Sequence, residues 1–123
     1  MSPEDSNGEP GPRAASDARS MYKEGFELFV KGQIEEAVAR YREAIGVDDT
    51  LAIAWNALSM ALAKQGDLEA AVEAAEKLVE LEPDDPLSHT NLSRILMQKG
   101  LIPEAEDARA QAMNLQMQQQ GSR

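Results

Sequence analysis

Residues Trp55 to Pro83 read WNALSMALAKQGDLEAAVEAAEKLVELEP, and this stretch decides the fold. Trp55, Leu58, Ser59 and Leu62 precede Lys64-Gln65-Gly66-Asp67, and Ala71 and Leu78 follow it. That spacing of three and four describes two amphipathic helices joined by a short turn. Such a pair is too small to bury its apolar sides alone, so it needs neighbours. A shift of 34 residues supplies them: Gly66 falls on Gly32 and Gly100, and Ala71 on Ala37 and Ala105. The chain reads as a repeat array.

The chain has 123 residues, 42% of them apolar but only 4% aromatic, which suits one small domain. A formal charge of -10 sets it against nucleic acid and anionic membrane surfaces, which are polyanions and ask for basic faces. With no cysteine, disulfides, thiolate chemistry and zinc ribbons are excluded together. The N-terminus lacks the apolar core of a signal peptide, and no window approaches the roughly 18 apolar residues of a membrane span. A cytoplasmic protein is the expectation.

Residues 1–17 hold Pro3, Gly8, Pro10, Gly11 and Pro12 among polar side chains and read as a disordered tail. From Ala18 the spacing becomes helical, with Met21, Gly25, Leu28 and Phe29 on one side and Gly32 suited to the left-handed turn that ends a helix. A second helix follows from Ile34, with Ala37, Val38, Tyr41, Ala44 and Ile45 inward; Asp49 or Thr50 is then placed to cap the third. The middle unit spans Leu51 to Lys64 and then, from Asp67 as cap, to Leu81, where Pro83 stops it. In the last unit Asp85 caps, Pro86 takes the first helical position, Gly100 closes the first helix and Pro103 opens a final helix reaching Gln118. Residues 120–123 read as a frayed end.

These residues resemble the tetratricopeptide repeat, a 34-residue helix-turn-helix unit, over three copies at 18–51, 52–85 and 86–119. The fourth place holds Met21, Trp55 and His89; the small eighth place holds Gly25, Ser59 and Ser93; the eleventh holds Leu28, Leu62 and Leu96. The twentieth is Ala37, Ala71 and Ala105, the twenty-fourth Tyr41, Ala75 and Arg109, and the twenty-seventh Ala44, Leu78 and Ala112. The resemblance implies an all-α fold of six helices, a right-handed superhelical solenoid whose first helices line a concave face and whose second helices form the convex back. Two departures stand out. Glu24 occupies a place where leucine is usual, and Arg109 one where an apolar residue would pack against a following unit, so the array is expected to end there. The Gln-rich last helix is expected to serve as its own cap.

The inventory does not favour an enzyme, and no metal or cofactor is expected. His89 is the single histidine and shares its place with Trp55, so it reads as a packed side chain. The glycines at 32, 66 and 100 are helix terminators rather than a phosphate-binding loop. Glu35-Glu36, Asp48-Asp49 and Asp84-Asp85 sit at helix starts and junctions, where carboxylates favour the helix dipole and supply caps.

Function is instead expected on the concave face. The ligand-facing places that the resemblance implies are Arg19, Tyr22, Phe26, Phe29 and Val30 in the first unit, Ile53, Asn56, Met60, Ala63 and Lys64 in the second, and Leu87, Thr90, Arg94, Met97 and Gln98 in the third. Phe29, Val30, Ile53, Ala63 and Leu87 also suit packing between adjacent first helices. Tyr22, Phe26, Met60 and Met97 are harder to place in a core, and methionines beside aromatics suit a partner surface. The candidate groove is therefore Arg19, Tyr22, Phe26, Phe29, Ile53, Asn56, Met60, Lys64, Thr90, Arg94 and Met97. It would take an apolar protein or peptide segment with some acidic character, making the chain a non-enzymatic adaptor. The alternative is a structural assembly module that self-associates through an exposed repeat end or the apolar groove. A clamp for a partner's terminal carboxylate, as in chaperone-binding members, would fall on Tyr22, Phe26, Ala57, Leu87 and Asn91. Asn91 is the one amide among them and none is cationic, so that subtype is disfavoured.

Overall fold

The computed structural model of the chain describes residues 11–121, which form six α-helices and no strand. They are α1 (Pro12–Val30), α2 (Ile34–Val47), α3 (Ala52–Gln65), α4 (Leu68–Leu81), α5 (Pro86–Lys99) and α6 (Ile102–Gly121). Each helix packs on the next, so α1–α2, α3–α4 and α5–α6 form three antiparallel pairs stacked through α2–α3 and α4–α5. Among the described residues no helix is long and apolar enough to cross a membrane.

The turns within the pairs share one construction. Gly32, Gly66 and Gly100 have φ of 85, 90 and 92°, the left-handed region that side chains disfavour. At each, two backbone bonds close the helix: Gly66 N to Ala63 O at 3.0 Å and Asp67 N to Leu62 O at 3.0 Å, with the equivalent bonds at Gly32 and Gly100. Asp67 caps α4 through the Ala70 amide, and Asp85 caps α5 through the Leu87 amide with Pro86 in the first turn.

Three helix ends differ from expectation. Helix α1 begins at Pro12 rather than Ala18, because Arg13-Ala14-Ala15 favour helix and proline is tolerated at its first position. Residues 12–17 are therefore helical, while the expected tail over 1–10 lies outside the described residues. Neither Asp49 nor Thr50 caps α3. The Asp48 carboxylate instead accepts from the Thr50 amide at 3.0 Å and the Thr50 hydroxyl at 2.6 Å, holding the turn before the helix, and α3 starts without a side-chain cap. At the far end α6 continues to Gly121, past Gln118.

The junctions between pairs are pinned by rings. Trp55 Nε1 donates to the Asp49 carbonyl at 2.8 Å, and one repeat later His89 Nε2 meets the Pro83 carbonyl at the same 2.8 Å. His89 is thus buried against a junction, in the packed role its place implies. Ser88 strengthens the second junction by donating to the Glu82 and Asp85 carbonyls.

The core is built mainly of small residues, with Ala37, Ala44, Ala54, Ala61, Ala71, Ala75 and Ala105 fully buried. Tyr41 and Ile95 are the largest fully buried side chains. Tyr41 fits because Gly25 faces it: a Cβ at Gly25 would lie 2.7 Å from both Cδ1 and Cε1 of the ring. Burial pushes the Tyr41 hydroxyl up to about 12, and Tyr22 beside it adds to the rise. The folded state therefore holds this proton more tightly than the unfolded chain, whose tyrosines titrate near pH ~10. Stability from this group is fully present below pH ~10 and is lost as pH rises towards ~12. Alkaline unfolding followed by helical circular dichroism should show that loss, and Tyr41→Phe should flatten it.

Candidate functional site

The structure gathers nine of the eleven candidate residues in two places. Tyr22, Phe26 and Phe29 of α1 meet Ile53, Asn56 and Met60 of α3 around a cleft of about 150 Å³, whose remaining walls are Tyr41 and Ala57. The positions follow from helical spacing. Residues 22, 26 and 29 of α1 lie three and four apart on one side, as do 53, 56 and 60 of α3. Tyr22 anchors the arrangement by stacking on buried Tyr41, ring centroids 5.9 Å apart, while it meets Phe26 at 6.4 Å in a tilted contact. Phe26 is 50% exposed, and Ile53 and Met60 are each 42% exposed. Aromatic and thioether groups thus line the mouth, with a polar amide at one edge.

Tyr41 is the wall that sequence reasoning missed as part of this cleft. Its place on a second helix marked it as core, and the sequence signal that could have exposed its double role is the glycine at the eighth place of the same unit. Where Gly25 leaves out a side chain, the ring of Tyr41 reaches through to the concave side.

The packing expectation for first-helix residues needs correcting. Phe29 and Ala63 are partly buried against the core, but Val30, Ile53 and Leu87 are exposed, Leu87 by 70%. Adjacent first helices stand farther from each other than each does from the second helix before it, and side chains such as Asn91 and Gln98 reach across the gap. Ile53 and Leu87 instead border a further cleft of about 270 Å³ between α3 and α5, shared with Asn56 and Ser88. The two clefts share Ile53 and Asn56, and the second adds the carboxylates of Glu82 and Asp85 to its lining.

Thr90, Arg94 and Met97 do not join it. They line a separate cleft of about 600 Å³ between α5 and α6, together with Arg109 and Met113. Arg19 and Lys64 are exposed and line neither cleft.

Asn91 is only 5% exposed. Its Nδ2 donates to Asn56 Oδ1 at 3.0 Å and Ser59 Oγ at 2.9 Å, tying α5 to α3. Its donor capacity is thus spent inside the stack, which removes the one amide that could have contributed to a carboxylate clamp. Among the described residues no cluster of three or more His, Cys, Asp or Glu is placed to hold a metal ion.

Comparison with known proteins places this arrangement. The tetratricopeptide repeat model matches residues 22–86 and 56–113. No curated protein matches the chain. Among solved structures, MamA is similar with a TM-score of 0.80 at 22% identity, covering 85% of this chain and 61% of its own. The type III secretion translocator chaperone SycD of Yersinia enterocolitica aligns with a TM-score of 0.75 at 20% identity, covering 81% of this chain and 76% of its own. The second repeat module of Spaghetti (RPAP3), bound to the HSP90 peptide SRMEEVD, aligns with a TM-score of 0.77 at 20% identity, covering 84% of this chain and 95% of its own. These identities speak for a shared helical solenoid. The chain spans about three fifths of the MamA chain.

Proposed function

The chain belongs to the tetratricopeptide repeat family, and from that premise we propose that it is a non-enzymatic adaptor holding a peptide or helical segment of a partner protein against its concave face. One observation carries the reading: the cleft between α1 and α3 exposes Phe26, Ile53 and Met60 around half-buried Tyr22 stacked on buried Tyr41. A monomeric surface gains nothing from leaving such side chains in water, whereas a partner's aromatic or branched side chain would bury them.

The flanks set the partner's polarity. Arg19 lies one turn before Tyr22 on α1, and Lys64 one turn after Met60 on α3. A segment anchored in the cleft would meet a positive charge beyond each end, so acidic residues on both sides of the apolar anchor favour binding. The Spaghetti modules are bound to a short peptide in their structures, which supports a peptide as the class of partner. Recognition here would rest on the apolar anchor, since Asn91 is committed to Asn56 and Ser59.

The test is a peptide selection against the chain followed by titration of the selected sequence. Phe26→Ala is expected to weaken binding about tenfold or more, and Met60→Ala by a smaller factor. Unchanged affinity in both variants would remove the cleft as the binding site.

A further inference from the structure

Within the stack α5 covers the outer side of the middle unit. Gln98 donates to the Ala63 carbonyl at 3.3 Å, and Ile95 shares a core cluster with Ala71, Ala74 and Ala75. One repeat further on, the same surface of the last unit has no helix above it among the described residues. Met97 stands in the place of Ala63 and Arg109 in that of fully buried Ala75. This is the surface that forms the cleft of about 600 Å³ between α5 and α6. Met97 is 45% and Met113 50% exposed, and Arg94 and Arg109 form no ion pair among the described residues.

At the opposite end, α1 turns outward the side that α3 and α5 bury. Glu27 occupies the place of Ala61 and Ile95, and Val30 that of Lys64 and Gln98; both are exposed. Glu24, one turn earlier, is paired with Arg40 at 3.2 Å, but Glu27 forms no ion pair among the described residues.

We propose that the end face of the last unit seats α1 of a second copy, so that copies stack head to tail. The repeat register itself gives the pairings. The buried contact region of Ile95 and Ala75 becomes, between copies, Glu27 against Arg109, and Gln98 over Ala63 becomes Val30 over Met97. In each pair the two end faces depart from the interior in complementary ways, one acidic where the other is basic and apolar where the other is apolar. Helix lengths agree with this seating. The four inner helices have 14 residues each, whereas α1 has 19 and α6 has 20. The extra turns are residues 12–17 and 116–121, and in a head-to-tail stack those two extensions run antiparallel at the same edge. Met117, 67% exposed on the α6 extension, lies there.

The two faces differ, so the contact is heterologous and grows into open chains rather than closing as a dimer. A net charge of -10 per copy opposes growth, so assembly calls for high protein concentration. The test is sedimentation velocity on the full chain over a concentration series. The mass average is expected to climb past dimer as concentration rises. Glu27→Arg and Arg109→Glu should each weaken association about tenfold or more. Mixing the two variants, or combining both changes in one chain, should restore it. Circular dichroism with unchanged helix content shows that the variants are folded. A wild-type chain that stays monomeric throughout, a mass that stops at dimer, silent single reversals, or a mixture that fails to restore assembly would each overturn the proposal. So would assembly abolished by Phe26→Ala alone, which would assign self-contact to the concave cleft. Peptide binding in that cleft is expected to survive Arg109→Glu, so the two readings fail separately.

Discussion

Tyr41→Ala is expected to lower the unfolding free energy by about 3–5 kcal/mol, as for other buried aromatics reduced to alanine. Gly25→Ser should cost about 1–3 kcal/mol by forcing a side chain into the Tyr41 ring, even after the gain of a better helix former. The double variant should lose less than the two together. The reason lies one repeat away, where the same two places hold Ser59 and Ala75, both fully buried. A serine facing an alanine is thus a pair this fold already packs, and glycine facing tyrosine is its alternative with the volume moved to the other helix. The 2.7 Å approach of a Gly25 Cβ to the ring predicts coupling of about 1 kcal/mol or more in a double-mutant cycle by urea denaturation. Additive losses would mean that ring and glycine do not share one space. Because units in such arrays depend on their nearest neighbours, the single variants should lose helix first in α1 and α2.

The second large effect comes from moving one residue along the repeat. Ala75→Arg places a charge where the native side chain is fully buried between units, with no acidic partner in that core cluster. A loss of several kcal/mol is expected, enough to abolish cooperative unfolding in a chain of ordinary marginal stability. Arg109→Ala, the reverse exchange one repeat later, should change stability by less than about 0.5 kcal/mol, since Arg109 is exposed. Thermal denaturation of both variants makes the comparison. Equal effects would show that position within the array does not decide how this place is used.

Much of this architecture was legible because its determinants are local and periodic. A left-handed turn needs Gly32, Gly66 and Gly100, and close helix approach needs Ala37, Ala71 and Ala105, so a fixed spacing of glycine and alanine reports the stack directly. What escaped was decided by competition between neighbours. Asp48, Asp49 and Thr50 all have capping chemistry, and only the path of the turn selects Asp48 as the acceptor. The start of α1 escaped because Pro12 reads as a breaker until the alanines after it are placed in a helix.

The candidate site was legible as a list but not as a geometry. Helical spacing put Tyr22, Phe26, Ile53 and Met60 on concave sides, yet whether they meet depends on how far α1 stands from α3. Thr90, Arg94 and Met97 carry the same repeat places and still lie elsewhere, because among the described residues no further first helix closes a cleft over them. Tyr41 was assigned to the core and proves to be core and wall at once.

The paired ring bonds at the junctions bear on the shape of the whole array. An indole and an imidazole, chemically unlike, reach carbonyls at matching places over the same 2.8 Å. What that place requires is a flat group with an N–H at the right reach, a rivet more than a residue. Met21, which follows no such turn because α1 runs straight back to Pro12, carries no such group. Two like rivets hold α3 and α5 to the turns before them in the same way, so both junctions between units are fastened at matching places.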